Sequence, residues 1–200
     1  MNSSSPVELS ESTSRTLLER VKRHDPEAWH RFAALYGPIV YRWANECRLT
    51  HEDAVDVTQE VFLAASQSIA QFRRELAGQS LRGWLWTITR NKVRNHLRGF
   101  HEPEAAGGKV MHDQLSQIPE FDDSDERAAR SIAHEISHRA LKLIQTDFEE
   151  PTWQAFWWTT VDGRAAAEVA QELGLSLAAV YKAKSRVLFR LRHELAGLLD

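Results

Sequence analysis

Apolar side chains recur along most of this chain at the three- and four-residue spacing of a single helix face, without the alternation typical of strands. The pattern predicts helices from Thr16 to about Arg23, from Pro26 onwards, from about His51 to Ser68 and from about Ser80 to Arg98. Asp25 supports the second of these starts, because Asp caps a helix N-terminus and Pro suits the first turn. Four helices with wide apolar faces favour a compact bundle.

The helical pattern breaks after Gly99. The next stretch contains Pro103, the pair Gly107-Gly108 and a run of acids, so it is predicted to be a linker. Helical spacing returns at about Asp125 and continues to about Leu195. The predicted fold class is all-α, with two small helical bundles joined by a flexible linker. The predicted boundaries are a disordered leader at 1–13, a first domain at 14–98, the linker at 99–124 and a second domain at 125–200.

The sharpest local signal lies near the C-terminus, where a short helix, a glycine turn and a longer helix follow one another. Residues 164–173 favour the short helix, Gly174 can adopt the left-handed conformation that ends it, and Ser176 can cap the next helix. This is the helix-turn-helix pattern, whose second helix enters the major groove of DNA by its N-terminal end. An ordinary helical hairpin is the alternative for this segment alone. The residues predicted to face DNA bases or phosphates are Ala178, Tyr181, Lys182, Lys184, Ser185, Arg186 and Arg190.

The charge distribution adds a second candidate for polyanion binding. The formal net charge is only −3, but residues 73–98 hold seven Lys/Arg and one acid, and residues 182–192 hold five Lys/Arg and no acid. Between them, residues 113–150 hold ten acids against four Lys/Arg. Two basic segments separated by an acidic stretch indicate two polyanion contacts that are held apart.

Composition narrows the class of protein further. Apolar residues make up 42% and charged residues 26% of the chain, as in ordinary soluble globular proteins. The single cysteine, Cys47, excludes an internal disulfide and fits a reducing cytoplasm. No apolar run approaches the ~18 residues that span a bilayer, and the N-terminus lacks the pattern of a signal peptide. We therefore expect a cytoplasmic protein without membrane insertion.

Two sequence blocks in the first bundle resemble a known family. Residues 53–63, DAVDVTQEVFL, and residues 84–91, WLWTITRN, are similar in sequence and spacing to the second conserved domain of sigma-70-type factors. Followed by a linker and a helix-turn-helix, they resemble the extracytoplasmic-function group. The resemblance implies a non-enzymatic subunit that directs core RNA polymerase to specific promoters and initiates transcription. It implies core polymerase and promoter DNA as partners, an anti-sigma factor as a further candidate, and no cofactor, metal or small-molecule substrate.

The resemblance also assigns site residues. Acids at i, i+3 and i+7 of one helix give it a charged stripe, and in the family this helix docks on basic clamp helices of the polymerase. The implied core-polymerase-binding residues are Asp53, Asp56, Gln59, Glu60 and Leu63. The loop from Gln71 to Ser80 would hold a base flipped out of the promoter −10 element, which must be unpaired. The implied −10 DNA-binding residues are Arg73, Arg74, Arg82, Trp86, Arg90, Asn91, Lys92, Arg94, Asn95 and Arg98.

Two other functions fit parts of the sequence. His134 to His138 read HEISH, a match to the HExxH motif of zinc proteases. Two features argue against a zinc site. Arg139, directly after the motif, is charged, and the only candidates for a third ligand downstream are His193 and an acid. The stronger alternative is a plain helix-turn-helix regulator with an N-terminal sensing bundle, which would bind duplex DNA without polymerase.

Overall fold

The computed structural model describes residues 16–73, 80–99, 122 and 125–199. Within these ranges every regular element is helical, which confirms the predicted all-α fold class. The leader, most of the linker and Arg74 lie outside the described residues. The α-helices are α1 (Leu17–Lys22), α2 (Pro26–Glu46), α3 (His51–Ser68), α4 (Leu81–Gly99), α5 (Glu126–Ile144), α6 (Glu150–Thr160), α7 (Ala166–Glu172) and α8 (Leu177–Leu195). None of these helices is long and apolar enough to cross a membrane.

The first compact unit is built around α2, which packs against both α3 and α4. Its apolar face is continuous, so Phe32, Tyr36 and Ile39 are almost fully buried. Val61 of α3 and Val93 of α4 are fully buried as well. Burying these apolar faces is the main force that holds the three helices together. Their outward faces then become the surfaces available to partners.

The C-terminal segment, residues 197–199, belongs to this first unit, although the sequence pattern predicted it to be part of the second domain. The side chain of Leu198 is 1% exposed. The hydroxyl of Tyr36 donates a buried hydrogen bond of 2.6 Å to the carbonyl oxygen of Leu198. Gly197 has φ +80°, and a Cβ there would lie 3.0 Å from Cδ2 of Leu18. The segment therefore completes the core of a bundle whose first helix begins about 180 residues earlier in the chain.

Leu198→Ala is expected to destabilise the first unit by about 2 kcal/mol, since large-to-small changes in a core cost ~2–5 kcal/mol and a terminal segment can partly detach. Tyr36→Phe, which removes only the buried hydrogen bond, should cost about 1 kcal/mol. Urea unfolding followed by circular dichroism measures both. Leu63→Ala is the matched control, because Leu63 is 61% exposed. Equal stability of the Leu198 and Leu63 variants would contradict the packing described.

The start of α2 is fixed by the predicted cap. Oδ1 of Asp25 accepts hydrogen bonds from the backbone N–H groups of Glu27 (3.0 Å) and Ala28 (3.2 Å), and Pro26 occupies the first turn. Oδ2 accepts a hydrogen bond of 2.8 Å from Nε of Arg20. The bond from Arg20, helped by those from the backbone, holds the pKa of Asp25 below its ordinary value of 3.8.

Asp25→Ala should therefore lower stability by about 1 kcal/mol at neutral pH, as loss of a helix cap does. Because the folded-state pKa is lowered, the ionised carboxylate stabilises the fold above pH 3.8, and this contribution is lost as the pH falls through the lowered value. The difference in melting temperature between wild type and variant should shrink on acidification. A difference that stays constant into strong acid would show that the charge of Asp25 has no part in it.

The second unit contains the end of α5 together with α6, α7 and α8. One buried cluster joins Ala155 of α6, Val169 and Ala170 of α7, and Val180 and Ala183 of α8. Small side chains at these positions allow the helices to approach closely. A second buried cluster joins Ile144 of α5, Trp153 and Phe156 of α6, and Val187 of α8. The core thus anchors α8 along one face only.

The turn between α7 and α8 forms as the sequence predicts. Gly174 has φ +64°, and the backbone N–H of Leu175 donates 2.8 Å to the carbonyl oxygen of Ala170. Together with the bond from Gly174 to Gln171, this pattern is a Schellman motif, which ends α7. The Ser176 hydroxyl oxygen then accepts 3.1 Å from the N–H of Ala179 and caps α8. The turn sets the direction in which α8 leaves the core.

Candidate functional site

The outer face of α3 carries the predicted acidic stripe. Asp56, Gln59 and Glu60 are exposed, Leu63 is 61% exposed, and these four side chains line a shallow open depression. Val57 and Val61, on the opposite face, are fully buried. The structure therefore brings four of the five predicted core-binding residues together on one accessible surface. These four and the half-buried Asp53 are called here the α3 stripe (Asp53, Asp56, Gln59, Glu60 and Leu63).

Asp53, at the N-terminal end of the α3 stripe, is held more firmly than the others. Its Oδ2 accepts a hydrogen bond of 2.6 Å from the hydroxyl of Thr50, and its Oδ1 lies 3.0 Å from Nε2 of His96 on α4. The bond from Thr50, and to a smaller degree His96, lowers the pKa of Asp53. Glu60 is also paired, since its Oε2 lies 3.2 Å from Nζ of Lys92. Asp56, between them, has no ionic partner among the described residues.

The outer face of α4 carries polar and basic side chains at helical spacing. Asn91, Asn95 and Arg98 stand at i, i+4 and i+7 and are exposed, and Arg90 and Arg94 are half-buried at the edge of this face. These five residues, called here the α4 basic face, are all among those predicted to bind the −10 strand. Lys92, which was predicted to line that strand, instead points to Glu60.

Arg82 and Trp86, which were predicted to bind −10 DNA, do not lie on the outer face of α4. Both side chains are only 4% exposed, and they lie on the same helical stripe as the fully buried Thr89 and Val93. The ring of Trp86 packs edge-on against Trp43, with 5.4 Å between the centroids. A side chain enclosed in this way has no surface on which a DNA base can stack, so these two residues support the interface from within.

The segment before residues 74–79 is tied to the bundle. The Lys22 ammonium donates 2.9 Å to the carbonyl oxygen of Phe72, and it lies 5.4 Å from the centroid of the Phe72 ring. The buried ring of Phe72 contacts Trp84, with 5.4 Å between centroids. The side chain of Arg73 is exposed, and its Nη1 donates 2.7 Å to the carbonyl oxygen of Ala70. Lys22, which the sequence did not single out, thus anchors one end of the predicted −10 loop.

The N-terminal half of α8 presents the predicted DNA-facing residues to solvent. Ala178, Tyr181, Lys182, Ser185 and Arg186 are all exposed, and Lys184 is partly so. Lys182 and Arg186 form no ion pair within the described part of the chain. A helix end with free cations and one small side chain suits entry into a major groove.

Arg190 departs from this group. Its Nε lies 2.9 Å from Oδ2 of Asp147, in the 3₁₀ turn Gln145–Asp147, and its Nη1 lies 2.6 Å from Oε2 of the buried Glu194. A guanidinium that bridges two carboxylates is already neutralised. The predicted phosphate contact at Arg190 is therefore replaced by an ion pair that ties α8 to the 3₁₀ turn after α5.

The HExxH segment lies on α5 without the features of a zinc site. Glu135, the residue that would act as general base, pairs with Arg139 at 3.0 Å. Within the described ranges, no three His, Cys, Asp or Glu side chains are grouped so that they could hold a metal ion. His134 and His138 are exposed on α5, and Ile136 between them is fully buried in the core.

Comparison with protein families matches residues 32–99 to the family described as sigma-70 region 2. The match runs from within α2 to the end of α4 and so contains both the α3 stripe and the α4 basic face. Over these residues the chain is a sigma-70 region 2 domain.

Three curated proteins are similar over most of this chain. A probable RNA polymerase sigma factor RfaY of Xanthomonas campestris is 30% identical over 191 residues, covering 92% of this chain and 46% of the relative. The RNA polymerase sigma-H factor of Pseudomonas aeruginosa is 27% identical, with 84% and 80% covered. The ECF RNA polymerase sigma factor BldN of Streptomyces coelicolor is 25% identical, with 82% and 59% covered. The chain thus spans about half the length of the first of these relatives.

A solved structure described as CnrH in complex with the cytosolic domain of CnrY is 20% identical, with a TM-score of 0.37, over 88% of this chain and 92% of that one. A similarity at this level bears on neither the fold nor the function. The matched family and the three relatives agree: this chain is similar to RNA polymerase sigma factors, and one of the relatives is described as an ECF sigma factor.

Proposed function

We propose that this protein is an alternative sigma factor, which binds core RNA polymerase, directs it to specific promoters and initiates transcription there. Its role is binding and DNA opening rather than catalysis, and it acts in the cytoplasm together with the polymerase. Core polymerase and promoter DNA are its partners.

The observation that carries the proposal is the α3 stripe inside the region matched to sigma-70 region 2. Asp56 and Gln59 offer exposed polar contacts beside the exposed apolar side chain of Leu63. A basic partner surface such as the clamp helices of polymerase would be complementary to it. Charge complementarity of this kind speeds encounter and fixes register, while the buried apolar contact supplies affinity.

The two predicted DNA-binding surfaces, on α4 and on α8, would each bind a different promoter element. The α4 basic face and the adjoining loop would bind the unpaired −10 strand, and the N-terminal half of α8 would enter the major groove of the −35 element. Opening DNA costs ~1.4 kcal/mol per base-pair step, and stacking returns ~1–3 kcal/mol per base. A few contacts to extruded bases are therefore enough to stabilise a short bubble.

Binding measurements with the purified protein test the proposal. We expect a stable complex with core polymerase on size-exclusion chromatography, and weak binding of the free protein to duplex promoter DNA. The reverse outcome, tight binding to duplex DNA and none to core polymerase, would instead establish a plain helix-turn-helix regulator.

A further inference from the structure

One ion pair and one histidine–carboxylate contact link the α3 stripe to α4, the helix that carries the basic face. Glu60 and Lys92 lie 3.2 Å apart, and Asp53 and His96 lie 3.0 Å apart. Glu60 is seven residues after Asp53 on α3, and Lys92 is four residues before His96 on α4. The pairs are therefore two successive rungs between antiparallel helix faces.

In the proposed function, the acid of each rung faces polymerase, whereas its partner on α4 lies beside the α4 basic face and the DNA. The acids are part of the α3 stripe, whose partner would offer cations. Lys92 and Asn95 of the α4 basic face stand at i and i+3 on α4 and are neighbours on the helix surface. The long side chain of Lys92 therefore needs only to swing away from Glu60 to reach a phosphate beside the α4 basic face. In the free protein, the charges of Glu60 and Lys92 thus neutralise each other.

Solvent exposure makes the Glu60–Lys92 pair easy to exchange. The side chains are 52% and 29% exposed, and a pair this accessible shifts an equilibrium by no more than about fivefold. It cannot prevent a basic partner from binding Glu60. It can, however, keep Lys92 from contributing to DNA affinity until that partner arrives.

We propose that docking of polymerase on the α3 stripe takes over Glu60 and releases Lys92 to bind a phosphate of the −10 strand. Binding of polymerase and of DNA is then linked through one shared ion pair, and linkage requires that each increases affinity for the other. The proposal rests on the proposed function and makes it more specific, because it names a residue through which the two surfaces communicate.

Two variants that each remove one negative charge from α3 test the exchange in the free protein. Glu60→Gln frees Lys92, and Asp56→Asn frees no cation. We expect Glu60→Gln to bind a labelled single-stranded oligonucleotide about two- to fivefold more tightly than wild type. The slope of log affinity against log salt concentration for this variant should become steeper by ~0.7, the value for one additional phosphate contact on a single strand.

Asp56→Asn should leave the salt slope unchanged, and Lys92→Met added to Glu60→Gln should abolish the gain. Within the complex with core polymerase, Lys92→Met alone should weaken DNA binding about two- to fivefold while changing the free protein little. Equal behaviour of the Glu60 and Asp56 variants, or a gain that survives Lys92→Met, would overturn the exchange. Core binding of the wild type is measured in parallel, so that failure of the proposed function appears separately, as no complex with polymerase.

Discussion

Replacing Asp56 and Leu63 together by lysine is expected to weaken binding to core RNA polymerase by about 100-fold or more. Both side chains are exposed on α3, and neither holds the fold together. The change reverses the charge that would face a basic surface and removes the apolar side chain that would be buried against it. Central interface residues of this kind each contribute ~2 kcal/mol or more.

Fluorescence titration of labelled core polymerase measures the loss, and an unchanged melting temperature shows that the variant folds. Glu149→Lys, a charge reversal at an exposed position of the other unit, is the control and should bind core as wild type does. Retention of wild-type affinity by the Asp56/Leu63 variant would remove the α3 stripe from the polymerase interface.

Arg186→Ala is expected to lower the affinity of the protein–polymerase complex for promoter DNA by ~1–3 kcal/mol, or about 5- to 150-fold, as loss of one good base contact does. Arg186 is exposed near the middle of α8, about two turns after the small side chain of Ala178 near the capped start. It should also relax sequence preference at one position of the upstream element, since base contacts carry sequence information and phosphate contacts do not.

The variant Arg192→Ala tests whether sequence preference depends on where a positive charge lies on α8 or only on its presence. Arg192 is exposed on the same helix but in its last turn, away from the end that enters the groove. Its loss should weaken binding equally across sequences, or not at all. Selection of bound sequences from a randomised upstream element distinguishes the two variants. If both variants select the same sequences as wild type, α8 does not read bases through Arg186.

The helices and their caps could be predicted from the sequence because both depend on neighbours within one or two turns. Asp25 and Ser176 are caps that accept hydrogen bonds from the first helical N–H groups, and Gly174 takes the conformation that an L side chain disfavours. Exposure of the α3 stripe follows in the same way, since its members share one face opposite Val57 and Val61.

The burial of Arg82, which was predicted to bind DNA, could have been inferred from its helical spacing. It lies four residues before Trp86, seven before Thr89 and eleven before Val93, which is the spacing of one buried face. Its positive charge suggested DNA binding, but helical position decided its burial. Periodicity is thus the safer guide where residue chemistry and helical spacing disagree.

The contacts that no local pattern could predict join distant parts of the chain. The Tyr36–Leu198 hydrogen bond spans 162 residues. The pairing of Arg190 with Asp147 and that of Lys92 with Glu60 depend on how two helices pack. A basic residue can be recognised in a sequence, but whether it is free to bind a phosphate depends on which acid the fold places beside it.

As a sigma factor, the protein should give core polymerase a promoter preference that core alone lacks. Run-off transcription with purified core polymerase, with and without this protein, on a library of upstream regions measures that property directly. We expect defined transcripts from a small subset of templates only when the protein is present, and their loss with the Asp56/Leu63 variant. Identical transcripts with and without the protein, from a preparation that is folded, would contradict it.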